Sequence, residues 1–223
     1  MSLFAIADTH LSFASNKPMD DFEGWLNYTD RLKENWNKII DDKDYVVIAG
    51  DISWAMNFDE LKADFDYINQ LNGKKIILKG NHDYWWNTMS KMNKFIEENN
   101  FNTISILHNN AFDFDDFSVC GSRGWFFDSD EEQNEKVLNR EVMRIKASIE
   151  SALNCEKIVF LHYPPVYENQ CCEEIVSLLK EKGIKKCYYG HIHGVAAKYA
   201  FDDNYDGIDF KLISADRLNF MPL

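Results

Sequence analysis

Glycine and proline are scarce in this chain of 223 residues, at ten and four, which excludes collagen-like and other Gly/Pro-rich fibrous classes. Long apolar runs are missing too. The longest near the start, Leu3–Ala7, is far too short to span a membrane, and no basic segment leads into it. Neither a membrane span nor a secretory leader is therefore expected. Cysteine amounts to Cys120, Cys155, Cys171, Cys172 and Cys187, an odd number without a CxxC pair. That is no disulfide framework, and a cytoplasmic location is expected. Positive charge is short as well: 24 basic against 37 acidic side chains leave a net charge of −13. A broad electrostatic grip on duplex nucleic acid or an anionic membrane is thereby disfavoured. What remains is ordinary globular content, 45% hydrophobic, with no repeat or linker to divide it. Residues 1–223 are expected to form one domain.

Short apolar runs alternate with amphipathic stretches, the pattern of an α/β fold. Strands are expected at Leu3–Ala7, Tyr45–Ala49, Lys75–Lys79, Ile104–Leu107, Phe117–Cys120, Ile158–Leu161 and Cys187–Tyr189. The alternation in Ile208–Ile213 predicts a half-exposed strand, paired as a hairpin with Lys198–Phe201. Asn109-Asn110 reads as a second hairpin turn, between Ile104–Leu107 and Ala111–Phe114. Helical spacing joins Phe22, Trp25, Leu26, Leu32, Trp36, Ile39 and Ile40 into one predicted helix whose aromatic stripe packs in the core. Further helices are expected around Leu61–Leu71, Met89–Ile96, Val137–Ile149 and Ile175–Leu179, the last stopped by Gly183.

The chemistry follows the strands. Leu3–Ala7 ends in Asp8-Thr9-His10, Tyr45–Ala49 in Gly50-Asp51, and Lys75–Lys79 in Gly80-Asn81-His82-Asp83. Ile158–Leu161 ends in His162, and Cys187–Tyr189 in Gly190-His191-Ile192-His193. In an open α/β sheet such C-terminal ends gather along one edge, where ligands bind. Imidazole, carboxylate and amide oxygen suit borderline to hard divalent ions. Asp8, His10, Asp51, Asn81, His162, His191 and His193 make seven candidates, too many for one catalytic ion. Two ions about 3.5–4 Å apart, sharing a carboxylate, would use them all and form a clamp for displacement at phosphorus. The glycines before Asp51, Asn81 and His191 read as sharp turns off the strand ends.

This ordered set resembles the calcineurin-like metallophosphoesterase superfamily, with motifs spread over residues 8 to 193. The resemblance implies a four-layer α/β/β/α sandwich of two mixed sheets flanked by helices. It implies one metal on Asp8, His10, Asp51 and His193 and a second on Asp51, Asn81, His162 and His191, with Asp51 as the bridge. The ions would be manganese, iron or zinc, divalent or trivalent. It further implies catalysis by His82 beside the scissile phosphate, with Asp83 orienting it, and attack by a metal-bridging hydroxide on a phosphomonoester or phosphodiester of a small molecule. Two divalent cations would take the net charge from −13 to −9 and concentrate positive charge where the phosphate binds.

Members acting on phosphoproteins carry an Arg soon after the Gly-Asp motif and a Glu closing the Gly-Asn-His motif. Here Ile52-Ser53-Trp54-Ala55 and Asp83 stand in those places, which weakens a protein-phosphatase reading. Arg123, between glycines after Phe117–Cys120, is the candidate to replace the missing arginine and bind substrate alongside Asn81. Tyr84-Trp85-Trp86 is read mainly as core, with stacking on a planar substrate group as the alternative. The alternative function is a catalytically silent scaffold of the same fold that binds protein partners. The expected partner is a small phosphorylated substrate, with no membrane and no long nucleic acid. The apolar Phe220-Met221-Pro222-Leu223 leaves a homo-oligomer contact and intramolecular packing equally open.

Overall fold

The structure, a computed structural model, describes residues 1–125 and 135–223. From the N-terminus run β1 (Leu3–Ile6), a 3-10 turn at Met19–Asp21, α1 (Tyr28–Ile39), β2 (Tyr45–Ala49), α2 (Phe58–Gln70), β3 (Lys74–Leu78), α3 (Met89–Glu98) and β4 (Ile104–Ile106). There follow β5 (Phe112–Asp113), β6 (Phe117–Ser122), α4 (Glu135–Ser151), β7 (Glu156–Leu161), and the small hairpin β8 (Val166–Tyr167) and β9 (Gln170–Cys171). The last elements are α5 (Glu173–Glu181), β10 (Lys186–Tyr189), a 3-10 segment at Gly194–Tyr199, β11 (Asn204–Tyr205) and β12 (Ile208–Leu212).

Among the described residues, one sheet has the order β1-β2-β3-β4 and a second β11-β12-β10-β7-β6-β5. Register explains the layering. Ala5, Val47 and Ile76 stand side by side on one face of the first sheet, Ile6, Ile48 and Ile77 on the other. The first face packs against Val119 and Phe160 of the second sheet, and the other packs under α1, α2 and α3 against Leu32, Trp36, Leu61 and Phe65. Cys120, Val159, Cys187 and Phe210 face outward from the second sheet, onto α4 and α5. Alternating side chains thus supply three apolar layers, and the α/β/β/α sandwich follows. The second sheet is mixed as expected, whereas the first pairs parallel throughout because helices carry each crossover.

Several local expectations need correction. The first helix starts at Tyr28, since Gly24 (φ 86°) and Asn27 (φ 53°) take left-handed backbone that breaks the helical run. Phe22 and Trp25 therefore belong to a loop, while Trp36 lies in the core as read. Asn109-Asn110 is no hairpin turn: β4 pairs with β3, β5 pairs with β6, and the chain passes there from one sheet to the other. The partner of β12 is β11, not Lys198–Phe201; Lys198 lies in the 3-10 segment. Gly183 does stop α5, in left-handed conformation. The C-terminal tail packs within the chain, Leu223 exchanging backbone hydrogen bonds with Ala5 and Phe220 buried against Trp25 and Tyr28. No helix among the described residues is long and apolar enough to cross a membrane.

Lys75 is fully buried in β3, and its Nζ donates to the carbonyls of Leu71 and Gly73, both at 2.7 Å. Burial pushes this ammonium down to about 8, against a smaller opposing pull from Asp42. Between that value and the ordinary lysine value of about 10.4, the folded chain has shed a proton that the unfolded chain keeps. Lys75 therefore makes stability rise with pH across that window. Urea unfolding should show wild type gaining stability relative to Lys75→Met from pH 8 to pH 10; a constant difference would contradict this.

Candidate metal centre and active-site cleft

The seven candidate ligands lie at the C-terminal ends of β1, β2 and β3 in one sheet and β7 and β10 in the other. Backbone conformation there is costly. Asp8 (φ 59°), His10 (φ 43°), Asp51 (φ 48°) and His191 (φ 73°) are all left-handed, a region non-glycine residues seldom adopt. Each costs about 1–3 kcal/mol, a strain that accumulates at functional sites. Of the three motif glycines only Gly50 has positive φ, at 87°. Gly80 and Gly190 instead permit close approach: a Cβ on Gly190 would stand 2.5 Å from Asp8 Oδ2, and one on Gly80 would overlap Asp51.

The side chains converge in two groups. In the first, His10 Nε2 lies 3.1 Å from His193 Nε2 and 3.8 Å from Asp51 Oδ2, and His193 Nε2 lies 3.4 Å from Asp8 Oδ1. In the second, His162 Nε2 is 3.4 Å from Asp51 Oδ2 and 2.6 Å from Asn81 Oδ1, which is itself 3.0 Å from His191 Nδ1. Donor atoms of Asp8, His10, Asp51 and His193 all fall within 4.8 Å of one another, as do those of Asp51, His162 and His191. Asp51 belongs to both groups.

Protein contacts leave these donors dissatisfied. Asp51 Oδ2 is buried without a hydrogen bond, an arrangement that costs free energy unless a cation meets it. His162 Nδ1 lies 3.1 Å from the Ala49 carbonyl. With its ring proton on Nδ1, donated to that carbonyl, His162 presents the Nε2 lone pair to the donor cluster, as a metal ligand requires. Burial, then the neighbouring histidines, hold His10 and His162 well below the usual imidazole range, in the neutral form that metal binding requires. Burial, then Asp83 and Asp8, push Asp51 well up. His193 behaves differently: burial presses it down, but Asp8 and Asp216 outweigh burial and lift it to about 10. The donor set fits metal ions.

Two supporting residues escaped the sequence reading. Asp216 Oδ1 lies 3.4 Å from His193 Nδ1, turning Nε2 inward, and Ser214 Oγ donates to Asp8 Oδ2 at 2.8 Å. Both follow β12, so the strand-end logic that picked out the candidate ligands extends to them. Asp83 plays a different part from orienting His82. Its carboxylate accepts from the amides of Gly80, Asp51, Ile52 and Ser53, joining the turns after β2 and β3. The His82 amide donates to Asp51 Oδ1 at 2.8 Å, and its ring lies 4.5 Å from that of Trp54, with Nδ1 3.2 Å from the Tyr84 hydroxyl.

His10, His82 and His193 border a cavity of about 610 Å³. Trp25 and Trp54 wall it, Trp54 stacked on His10 at 4.9 Å. Of Tyr84-Trp85-Trp86, Trp85 is buried against Phe65, Trp86 packs on the same core, and Tyr84 stands exposed beside His82. Arg123 does not line this cavity. Its guanidinium lies 5.6 Å from the Tyr163 ring, which in turn meets His191 at 4.6 Å, and its carbonyl accepts from the His162 and Tyr163 amides.

A family model described as calcineurin-like phosphoesterase matches residues 1–195. MJ1445, an uncharacterized protein of Methanocaldococcus jannaschii, is 34% identical over 86 residues, or 36% of this chain. The match takes in 46% of that relative's length. Among solved structures, phosphopantetheinyl hydrolase from Mycobacterium tuberculosis superposes with a TM-score of 0.54 at 15% identity, over 95% of this chain and 88% of that one. A protein of unknown function, AQ665 from Aquifex aeolicus, gives 0.51 at 15% identity over 100% and 95%. TT1561 of Thermus thermophilus gives 0.53 at 12% identity over 86% and 81%. At such identities the likeness is one of fold.

A Cβ on Gly50 would stand 2.7 Å from His162 Nδ1 and 2.8 Å from the Gly80 backbone. Gly50→Ala should therefore lower stability by about 1–3 kcal/mol, read as a depressed thermal midpoint; an unchanged midpoint would show that the crowding is relieved at no cost.

Proposed function

Since this chain belongs to the calcineurin-like phosphoesterase family, metal-dependent hydrolases of phosphate esters, we propose that it cleaves a phosphomonoester or phosphodiester of a small molecule at a pair of metal ions. The observation that carries this reading is Asp51 Oδ2, buried, without a hydrogen bond, and common to both donor groups. In this reading Asp8, His10, Asp51 and His193 hold one ion, and Asp51, Asn81, His162 and His191 the other. When bound, such ions lower the pKa of water and polarise phosphoryl oxygens. Manganese, iron or zinc would suit these nitrogen and oxygen donors.

The chain's own side chains divide the remaining work. His82 borders both the donor cluster and the cavity, where its ring would give a proton or a hydrogen bond to the leaving oxygen. The Ala49 carbonyl and Asp216 keep His162 and His193 turned inward, and Asp83 fixes the spacing of Asp51 from Asn81 and His82. Arg123 remains the arginine of this reading that would meet substrate, its guanidinium 5.6 Å from the Tyr163 ring that in turn meets His191. All five cysteines are free, in keeping with a reducing cytoplasm, and the net charge of −13 favours a small substrate over long nucleic acid. No observation favours the scaffold alternative, as every ligand position and His82 are retained.

The test combines elemental analysis with hydrolysis of p-nitrophenyl phosphate and bis-p-nitrophenyl phosphate. Chelation should abolish turnover, and manganese or iron should restore it; absence of both metal uptake and activity after loading would sink the reading. His82→Ala should lower kcat about 10²–10⁴-fold with metal content unchanged. Loss of both metals in that variant would make His82 a structural residue instead.

A further inference from the structure

The cavity that His82 borders is apolar to a degree the hydrolysis of a phosphate ester does not itself require. Apart from the three imidazoles, Glu23 and Gly194, its described walls are Met19, Phe22, Trp25, Trp54 and Val195. Glu23 is the one acidic side chain among the described lining residues, and none of those residues is a lysine or arginine. Phe22 and Val195 are 60% and 75% exposed at its mouth, although large apolar side chains of a folded chain are usually covered. Phe22 is presented there because the left-handed backbone at Gly24 and Asn27 keeps this segment out of α1. Trp25 is held in the wall by edge contacts to His10, Tyr28 and Phe220. The pocket is therefore built into the fold and opens directly onto His10, His82 and His193.

We propose that this cavity receives the leaving group of the ester, and that this group is apolar and uncharged, an alkyl or aryl alcohol. The inference rests on the hydrolase reading for the position of the phosphate, which would sit at the Asp/His cluster. His82, the side chain placed to protonate the departing oxygen, faces the same cavity, so the atoms beyond that oxygen extend into it. A nucleotide or sugar phosphate leaving group would set a second anion beside Glu23, with no lysine or arginine among the described lining residues to meet it and few hydrogen-bond partners on the walls. An alkyl chain or an aromatic ring would instead cover the exposed Phe22 and Val195 and displace water from apolar carbon. The volume, about 610 Å³, falls within the range of sites that enclose whole small molecules.

The test measures binding of ethylphosphonate, hexylphosphonate and phenylphosphonate to the manganese-loaded protein by calorimetry, alongside turnover of the matching phosphate monoesters. Each fully buried methylene is worth about fourfold in affinity, from ~0.8 kcal/mol. Hexylphosphonate should bind at least about tenfold tighter than ethylphosphonate, allowing for incomplete burial, and Phe22→Asp and Val195→Asp should each erase most of that gain. A gain confined to phenylphosphonate assigns an aryl occupant, and a gain confined to hexylphosphonate an alkyl one; either supports the proposal. Equal binding of all three ligands, or a preference that survives both substitutions, overturns it. If no ester is turned over while the preference holds and is lost in the variants, the hydrolase reading fails and the leaving-group assignment falls with it, leaving an apolar binding site; turnover without the preference overturns the cavity assignment alone.

Discussion

Four backbone amides, from Gly80, Asp51, Ile52 and Ser53, point at the carboxylate of Asp83 and tie the turn after β2 to the turn after β3. Hydrogen bonds to a charged acceptor contribute about 1.5–3 kcal/mol each, and burial of the carboxylate makes them hard to exchange for water. Burial pushes Asp83 up to about 6 while the amides pull the other way. Through this clamp the spacing between Asp51, on one strand end, and Asn81 and His82, on the next, ceases to depend on loop flexibility. Left-handed backbone at Asp8, His10, Asp51 and His191 can persist only where such contacts over-determine the chain.

The clamped turns hold charges that do not balance by themselves. Asp8 and Asp51 are buried carboxylates facing imidazoles, of which His10 and His162 are held neutral. His193, between Asp8 and Asp216, is the exception, lifted to about 10. A cluster so short of positive charge accommodates cations where other proteins would need protons. The same reasoning changes what the net charge of −13 means. Under the proposed metal reading, part of the acid excess is an internal ligand supply, and the net charge then weighs against long polyanionic partners without weighing against phosphate.

The layers and the convergence of the candidate ligands were legible because both rest on short-range pattern. Alternating apolar residues announce a strand, and an Asp, Asn or His just beyond it falls on the sheet edge whatever the loop does next. The outer α4 and α5 and the left-handed stop at Gly183 were readable for the same reason. What failed depended on chain direction at single residues. The spacing of Phe22, Trp25 and Trp36 is helical, yet Gly24 and Asn27 end that helix from the front, which hid the wall of the cleft inside an apparent core stripe. Asn109-Asn110 looks like a hairpin turn, and only the sheet partners of β4 and β5 reveal a crossing between layers. Asp83 looked catalytic from its motif, and its four amide partners come from backbone that no motif records.

The site is also spread along the chain to an extent that bears on how it forms. His10 meets His193 across 183 residues, and Ser214 meets Asp8 across 206. When synthesis reaches the end of β7, Asp8, His10, Asp51 and Asn81 already exist, while His191, His193, Ser214 and Asp216 do not. Such long-range closure is slow to reward during folding. Both donor groups stay incomplete until β10 docks, and the support that Ser214 and Asp216 give to Asp8 and His193 waits for β12, so the cluster is assembled only at the end of synthesis.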